Sequence, residues 1–259
     1  MKRYLYNYET IVSFSQPVTD HHILLRCQPM TGTYMSIEEE HLVVPHGFHV
    51  SHGVDAFGNR IVYGGQRDEH SALAYVSTGI VDMSPYMTRT PLGISSAYLI
   101  PTPLTLLSLK QAERESINKF EPGTSVTDKA MTICHDVYQC MEYMPLTTTI
   151  DTPASEIYDS RRGVCQDYAH LMIALCRLEN IPARYISGFV EGTGETHAWV
   201  EIHDGYSWIG FDPTNDCRIT YGYVKIAHGR DAADCPVNRG VYIGNAIQQT
   251  QINVTLKEL

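Results

Sequence analysis

The apolar positions of this chain change period near residue 100. Before it they alternate. Residues 4–13 and 72–82 read as strands, and Gly58-Asn59 reads as a hairpin turn between residues 54–57 and 60–63. Glycine and proline punctuate these runs, which predicts an antiparallel sheet or sandwich over residues 1–100. Ile100-Pro101-Thr102-Pro103 reads as a linker. Beyond it the period lengthens to that of a helix, over residues 104–119 and again at Ala130, Ile133, Cys134, Val137 and Met141. Thr152-Pro153 is a cap followed by proline at the first helical position, opening a short helix that Gly163 ends. The stripe Ala169, Met172, Ile173 and Cys176 predicts a helix from about Cys165 to Glu179, stopped by Asn180 and Pro182. Strands are expected at 183–190, 197–202 and 207–212. Ile252, Val254 and Leu256 alternate in a last strand, 249–257, that can pair with either part. The expected fold class is α+β, with a β-sandwich-like domain over 1–100 and an α+β domain over 101–259.

The chemistry lies in the second part. Cys165 opens its helix, where the positive end of the backbone dipole and the nearby Arg161 and Arg162 favour a thiolate, although Asp167 in the first turn opposes it. Asp204-Gly205 is a type I′ turn signal between two strands rich in aromatic and β-branched residues. Centred there, the turn sets His203 across from Tyr206 and His197 across from Asp212, with Cβ atoms about 4.5 to 5.5 Å apart. A carboxylate at that distance can hydrogen-bond an imidazole and fix its tautomer, whereas a slip of one residue would separate them. Taken singly, Cys165 reads as a buried small side chain, His197 as a strand histidine and Asp212 as a turn residue before Pro213. Together, in this chain order, they are the parts of a Cys-His-Asp thiol enzyme that works through a thioester.

The same residues carry a resemblance. Gly163-Val164-Cys165-Gln166-Asp167, Asn180-Ile181-Pro182-Ala183-Arg184-Tyr185, His197-Ala198-Trp199-Val200-Glu201 and Asp212-Pro213-Thr214 resemble the bacterial transglutaminase-like cysteine enzymes. So do His228-Gly229-Arg230-Asp231 and Arg239-Gly240-Val241-Tyr242 downstream. Tyr6, Tyr8, Ser15, Pro17-Val18, Leu25 and Asp55-Ala56-Phe57-Gly58-Asn59 resemble the β domain that precedes the catalytic domain in many bacterial members. Asn180 stands where the family usually has glycine, a change compatible with a left-handed helix cap. The resemblance implies a papain-like α+β catalytic domain, a peptide or protein amide substrate and catalysis by Cys165, His197 and Asp212. It also implies a preference for hydrolysis, as by a cysteine protease or amidase, with transfer to an amine as the alternative. Tyr143 stands where the superfamily tends to put an aromatic donor to the oxyanion.

Composition narrows the picture further. The 259 residues carry a formal charge of −10, which argues against nucleic acid and anionic lipid as partners. Seven cysteines form an odd set without a CxxC pair, so no disulfide framework is expected. Met1 to Phe14 lacks the apolar core of a signal peptide and no stretch is long enough to span a membrane, so a cytoplasmic location is expected. His41, His46, His49 and His52 crowd one region, yet no cysteine or carboxylate stands at matching ligand spacing, and no metal is expected. Glu38-Glu39-Glu40 lacks EF-hand spacing and reads as a solvated acidic face, so no cofactor is expected either. Arg230 and Asp231 read as an ion pair or a loop-ordering element. Two readings of other classes remain at this point: a non-catalytic binding module of the same fold, and a metal-binding protein using the histidines.

Overall fold

The computed structural model describes residues 1–89, 96–115 and 120–259. Five strands fill the first part: β1 (Lys2–Leu25), β2 (Met35–Val43), β3 (His49–Val54), β4 (Arg60–Gln66) and β5 (His70–Met83). The short β6 (Thr88–Arg89) follows, then α1 (Leu109–Glu115), α2 (Val126–Cys140), β7 (Glu142–Tyr143), α3 (Ala154–Ser160), β8 (Arg162–Gly163) and α4 (Cys165–Leu178). The rest is β9 (Ala183–Val190), β10 (Gly192–Gly194), β11 (His197–His203), β12 (Ser207–Asp212), β13 (Cys217–Arg218), β14 (Tyr223–Gly229), β15 (Asn238–Ile243) and β16 (Gln248–Glu258). The molecule is α+β. Among the described residues no helix is long and apolar enough to cross a membrane.

β1 runs well past the expected 4–13. Its burial alternates through Tyr4, Tyr6, Tyr8, Thr10, Val12 and Phe14, which turns one face inward. The first half pairs with β5 on one side and β16 on the other. A register shift between Ser13 and Val18 then bends the strand, and its second half pairs with β4 and β15. The C-terminal strand therefore joins the N-terminal sheet, as does β10 at the edge of β16.

The second sheet has the order β13-β12-β11-β9-β14, with β6 added to β12, and its pairings are antiparallel. Both of its faces are covered. Ile186, Phe189, Trp199, Val224 and Ile226 share a core with Tyr4, Tyr6 and Tyr8 of β1. Ala183, Tyr185, Ala198, Val200, Ile202, Ile209 and Phe211 share another with α2, α3 and α4. The result is three layers, sheet on sheet on helices, and each large side chain buried between them contributes about 1.5–3 kcal/mol.

The DAFGN turn fastens the first two layers. Asn59 is fully buried; its Nδ2 donates to the His228 carbonyl and its Oδ1 accepts from the His228 N–H, both at 2.8 Å. Asp55 holds the turn by accepting from the backbone N–H groups of Phe57 and Asn59 at 2.9 Å and from the Arg26 guanidinium.

Two helix boundaries differ from expectation. α1 begins at Leu109, not 104, because Ser108 and Gln111 form a reciprocal capping box, the Ser108 N–H donating to Gln111 Oε1 at 2.9 Å. Residues 116–119 of that expected helix lie outside the described residues. α3 ends at Arg161, whose left-handed φ of 56° stops it before Gly163. Pro153 itself is its cap.

Candidate active site

α4 is fixed at both ends. At its start the Asp167 N–H donates to the Val164 carbonyl at 2.8 Å, and the Asp167 carboxylate accepts from the Val164 N–H at 2.7 Å and from the Thr148 hydroxyl at 2.6 Å. The carboxylate lies so close to Gly163 that a Cβ there would stand 2.3 Å from Oδ2. That close approach explains Gly163 and Asp167 in the motif around the thiol. Burial raises the Asp167 carboxyl above its ordinary range. At the other end Asn180 takes φ 56°, its N–H donates to Arg177, and the Ile181 N–H donates to the Cys176 carbonyl at 2.9 Å. This is a Schellman cap, with asparagine in the left-handed position.

Ahead of α4, the parallel pair β7 and β8 sets Tyr143 beside Gly163, and the Met144 N–H donates to the Gly163 carbonyl at 2.9 Å. Cys165 is therefore held at the first helical position, where its own N–H has no intrahelical acceptor.

The structure brings Cys165, His197 and Asp212 together. His197 Nε2 lies 2.7 Å from Asp212 Oδ2. A carboxylate accepts, so Nε2 carries the proton and Nδ1 is the nitrogen left for Cys165, which lines the same groove. Burial works against a charged imidazole here. The Asp212 and Cys165 partners outweigh it and raise His197 to about 10. Asp212 is fully buried, which disfavours its charge, yet hydrogen bonds from His197, Tyr223 and Asn215 lower it below the ordinary value.

The expected register is off by two residues. His203 lies across from Trp208, not Tyr206, because the connection closes as a longer loop in which Asp204 Oδ1 accepts from the Tyr206 and Ser207 N–H groups at 2.8 Å. His197 and Asp212 consequently meet diagonally, not directly opposite. A shift of two keeps both side chains on one face, and diagonal neighbours are within reach of an imidazole.

Several supporting groups complete the site around Asp212 and His197. Tyr223 on β14 donates to Asp212 Oδ2 at 2.7 Å, and Asn215 Nδ2 donates to the same oxygen at 2.6 Å. Asn215 could have been found, since Asp212-Pro213-Thr214-Asn215 reads as a turn and the Thr214 N–H donates to Asp212 Oδ1 at 2.9 Å. Tyr223 could not, because it arrives from another strand. The Trp199 ring stacks near His197, with centroids 6.4 Å apart, and its Nε1 donates to the Tyr86 hydroxyl at 2.9 Å. Tyr86 in turn donates to Glu201 at 2.6 Å, and Glu201 binds Arg184 and Lys225. Gly188 lets Trp199 into place, since a Cβ there would stand 2.3 Å from its ring.

Cys165 and His197 line a groove of about 510 Å³, with Ile150, Asp151 and Gln166 among its other lining residues together with Tyr185, Glu195 and Arg239. Tyr143 is exposed, and its ring lies 6.2 Å from that of Tyr168. Arg230 pairs with Asp234 at 2.7 Å, not with Asp231, which instead caps the short turn at Ala232–Asp234. Glu40 of the acidic run forms a two-pronged pair with Arg60. Among the described residues no group of three His, Cys, Asp or Glu side chains could hold a metal ion.

Residues 115–213, which include Cys165, His197 and Asp212, match the transglutaminase-like superfamily, and residues 4–82 match the bacterial transglutaminase-like N-terminal region. The segment that holds these three residues is a transglutaminase-like core. An uncharacterized protein of Mycobacterium tuberculosis is 29% identical over 225 residues, covering 74% of this chain and 72% of that protein. A protein-glutamine gamma-glutamyltransferase of Pseudomonas aeruginosa is 28% identical over 131 residues, covering 41% of this chain but 20% of that one. A candidate cysteine protease of Cytophaga hutchinsonii, known from its crystal structure, is similar over 100% of this chain and 91% of its own, with a TM-score of 0.83 and 26% identity. These likenesses support a cysteine-based enzyme of the transglutaminase-like kind.

Proposed function

We propose that this transglutaminase-like protein is a thiol acyl-transfer enzyme that cleaves peptide or amide bonds through Cys165, His197 and Asp212. The observation that carries the reading is the imidazole of His197, hydrogen-bonded to Asp212 at 2.7 Å on one nitrogen, in a groove that Cys165 also lines. Asp212 fixes the tautomer, and His197 takes the thiol proton. The Cys165 sulfur attacks the substrate carbonyl while the Cys165 N–H, at the positive end of α4, donates to the developing oxyanion. His197 returns the proton to the leaving amine as the carbon–nitrogen bond breaks, which leaves a thioester. Water attacks that thioester with His197 as base, releasing the acid and restoring the thiol. The candidate protease from Cytophaga hutchinsonii favours water as acceptor; the glutamyltransferase name of the Pseudomonas relative is the ground for an amine in its place.

The test is a peptide-library screen with and without an added primary amine, run beside brief iodoacetamide labelling of the seven thiols. Cys165 is expected to label first and to one equivalent at neutral pH, and Cys165→Ala is expected to abolish turnover. Labelling led by another cysteine, or turnover that survives Cys165→Ala, would refute the assignment. An intact, unreactive Cys165 with no turnover would point to the non-catalytic module.

A further inference from the structure

A second cavity, of about 290 Å³, lies away from the thiol groove and shares no lining residue with it. Its walls come from both halves of the chain: Gly32 and Phe57 from the β region, Arg89 of β6, and Arg184, Trp208, Lys225 and His228 from the second sheet. Among the described residues no acidic side chain lines it. Four basic residues, Arg89, Arg184, Lys225 and His228, therefore face the space without a carboxylate among them. Behind the wall, Glu201 is the one carboxylate that both Arg184 and Lys225 bind, and its other oxygen is taken by Tyr86. One carboxylate is thus shared between two buried basic groups. His228 is 7% exposed, and its Nδ1 is buried with no hydrogen-bond partner. A buried polar atom in that state lacks the partner that such groups ordinarily have.

We propose that this cavity is a binding site for a small organic carboxylate. The carboxylate would meet Lys225, Arg184 and His228, and its apolar body would lie against Phe57 and Trp208. The Arg184 guanidinium already sits over the Trp208 ring, 4.0 Å from its centroid, which presents its nitrogens edge-on. The volume corresponds to about ten water-sized groups, enough for a ligand with one short or aromatic body and too little for a peptide. Burial and the nearby Arg184 push the Lys225 ammonium down to about 7, and a bound anion would relieve that opposition. Because β9 carries Arg184 beside Tyr185, and Tyr185 lines the thiol groove, such a ligand would sit across one strand from the candidate active site. The proposal does not depend on Cys165.

The test uses the full chain with Cys165 alkylated, titrated calorimetrically with benzoate, with benzyl alcohol as the neutral counterpart and with inorganic phosphate. One benzoate per chain is expected, with benzyl alcohol weaker by about tenfold or more, the scale of a lost charge-assisted hydrogen bond. Gly32→Leu is a plug that leaves every charge in place, since a Cβ there meets nothing within 4 Å. It should weaken benzoate by about tenfold or more while leaving the thermal melt of the free protein unchanged. Arg89→Ala, at the exposed rim, should weaken it several-fold, and serves if Gly32→Leu does not fold. Absence of saturable benzoate binding, equal binding of benzyl alcohol, or binding untouched by both variants would overturn the proposal. Phosphate binding in place of benzoate would overturn the assignment to an organic carboxylate.

Discussion

At the scale of single residues, the pair His197 and Asp212 sets the pH behaviour. A histidine raised to about 10 on folding contributes its stability fully below the unfolded value of 6.5 and loses it as pH climbs through the raised value. Asp212, lowered on folding, contributes above its unfolded 3.8 and loses the contribution as pH falls through the depressed value. Between those limits the imidazolium is kept, and it is the acid that the leaving amine needs. The alkaline limb of kcat/KM is therefore expected near 10 in the parent and at lower pH in Asp212→Asn; coincident limbs would remove Asp212 from the mechanism. Tyr223→Phe should keep the limb high and lower the rate by about three- to tenfold, the value of one hydrogen bond. The three side chains are legible in the sequence because each stands at an element's end, next to cap or turn residues. The loop length is not legible there: Asp204-Gly205 marks a turn without stating that Tyr206 and Ser207 belong to it. A shift of two is harmless because it is even, whereas a shift of one puts the imidazole on the opposite face.

Among the elements, α4 shows how sequence and geometry agree most closely. Its apolar stripe, its asparagine stop and its opening cysteine all appear in the structure, since each is a local property of a few consecutive residues. Its N-terminal cap is different, because Asp167 works there through its contact with Gly163 and with Thr148 from a distant loop. Gly163→Ala is expected to destabilise the protein by about 1–3 kcal/mol, the range for an added carbon with no room, as measured by urea unfolding. Rapid alkylation of Cys165 should fall with it, because the displaced cap is the one that holds the thiol's turn. A variant with parental stability would show that the carboxylate can swing away without cost.

For the whole molecule, the long-range pairings of β1 matter most and are the least readable. Alternation reveals that residues 4–13 form a strand, but not that the strand continues through a bulge to pair with β4 and β15, nor that β16 flanks its first half. The tyrosines of that strand share one core with Phe189, Trp199 and Val224 of the second sheet. Thermal unfolding followed by tryptophan fluorescence and by far-ultraviolet dichroism is accordingly expected to give one coincident transition; two separated transitions would show that the β region and the thiol-bearing part melt independently.

The same β1–β16 pairing has a mechanical consequence. The two strands run antiparallel from Tyr4–Glu258 to Phe14–Gln248, so both chain ends emerge at the same end of the ladder, where Lys2 also pairs with Glu258. Tension applied between the ends would fall on the outermost rungs first and peel them one after another, where strands loaded from opposite ends would share the load in shear. Traction on its termini would open this fold like a zip, beginning at the Tyr4–Glu258 rung.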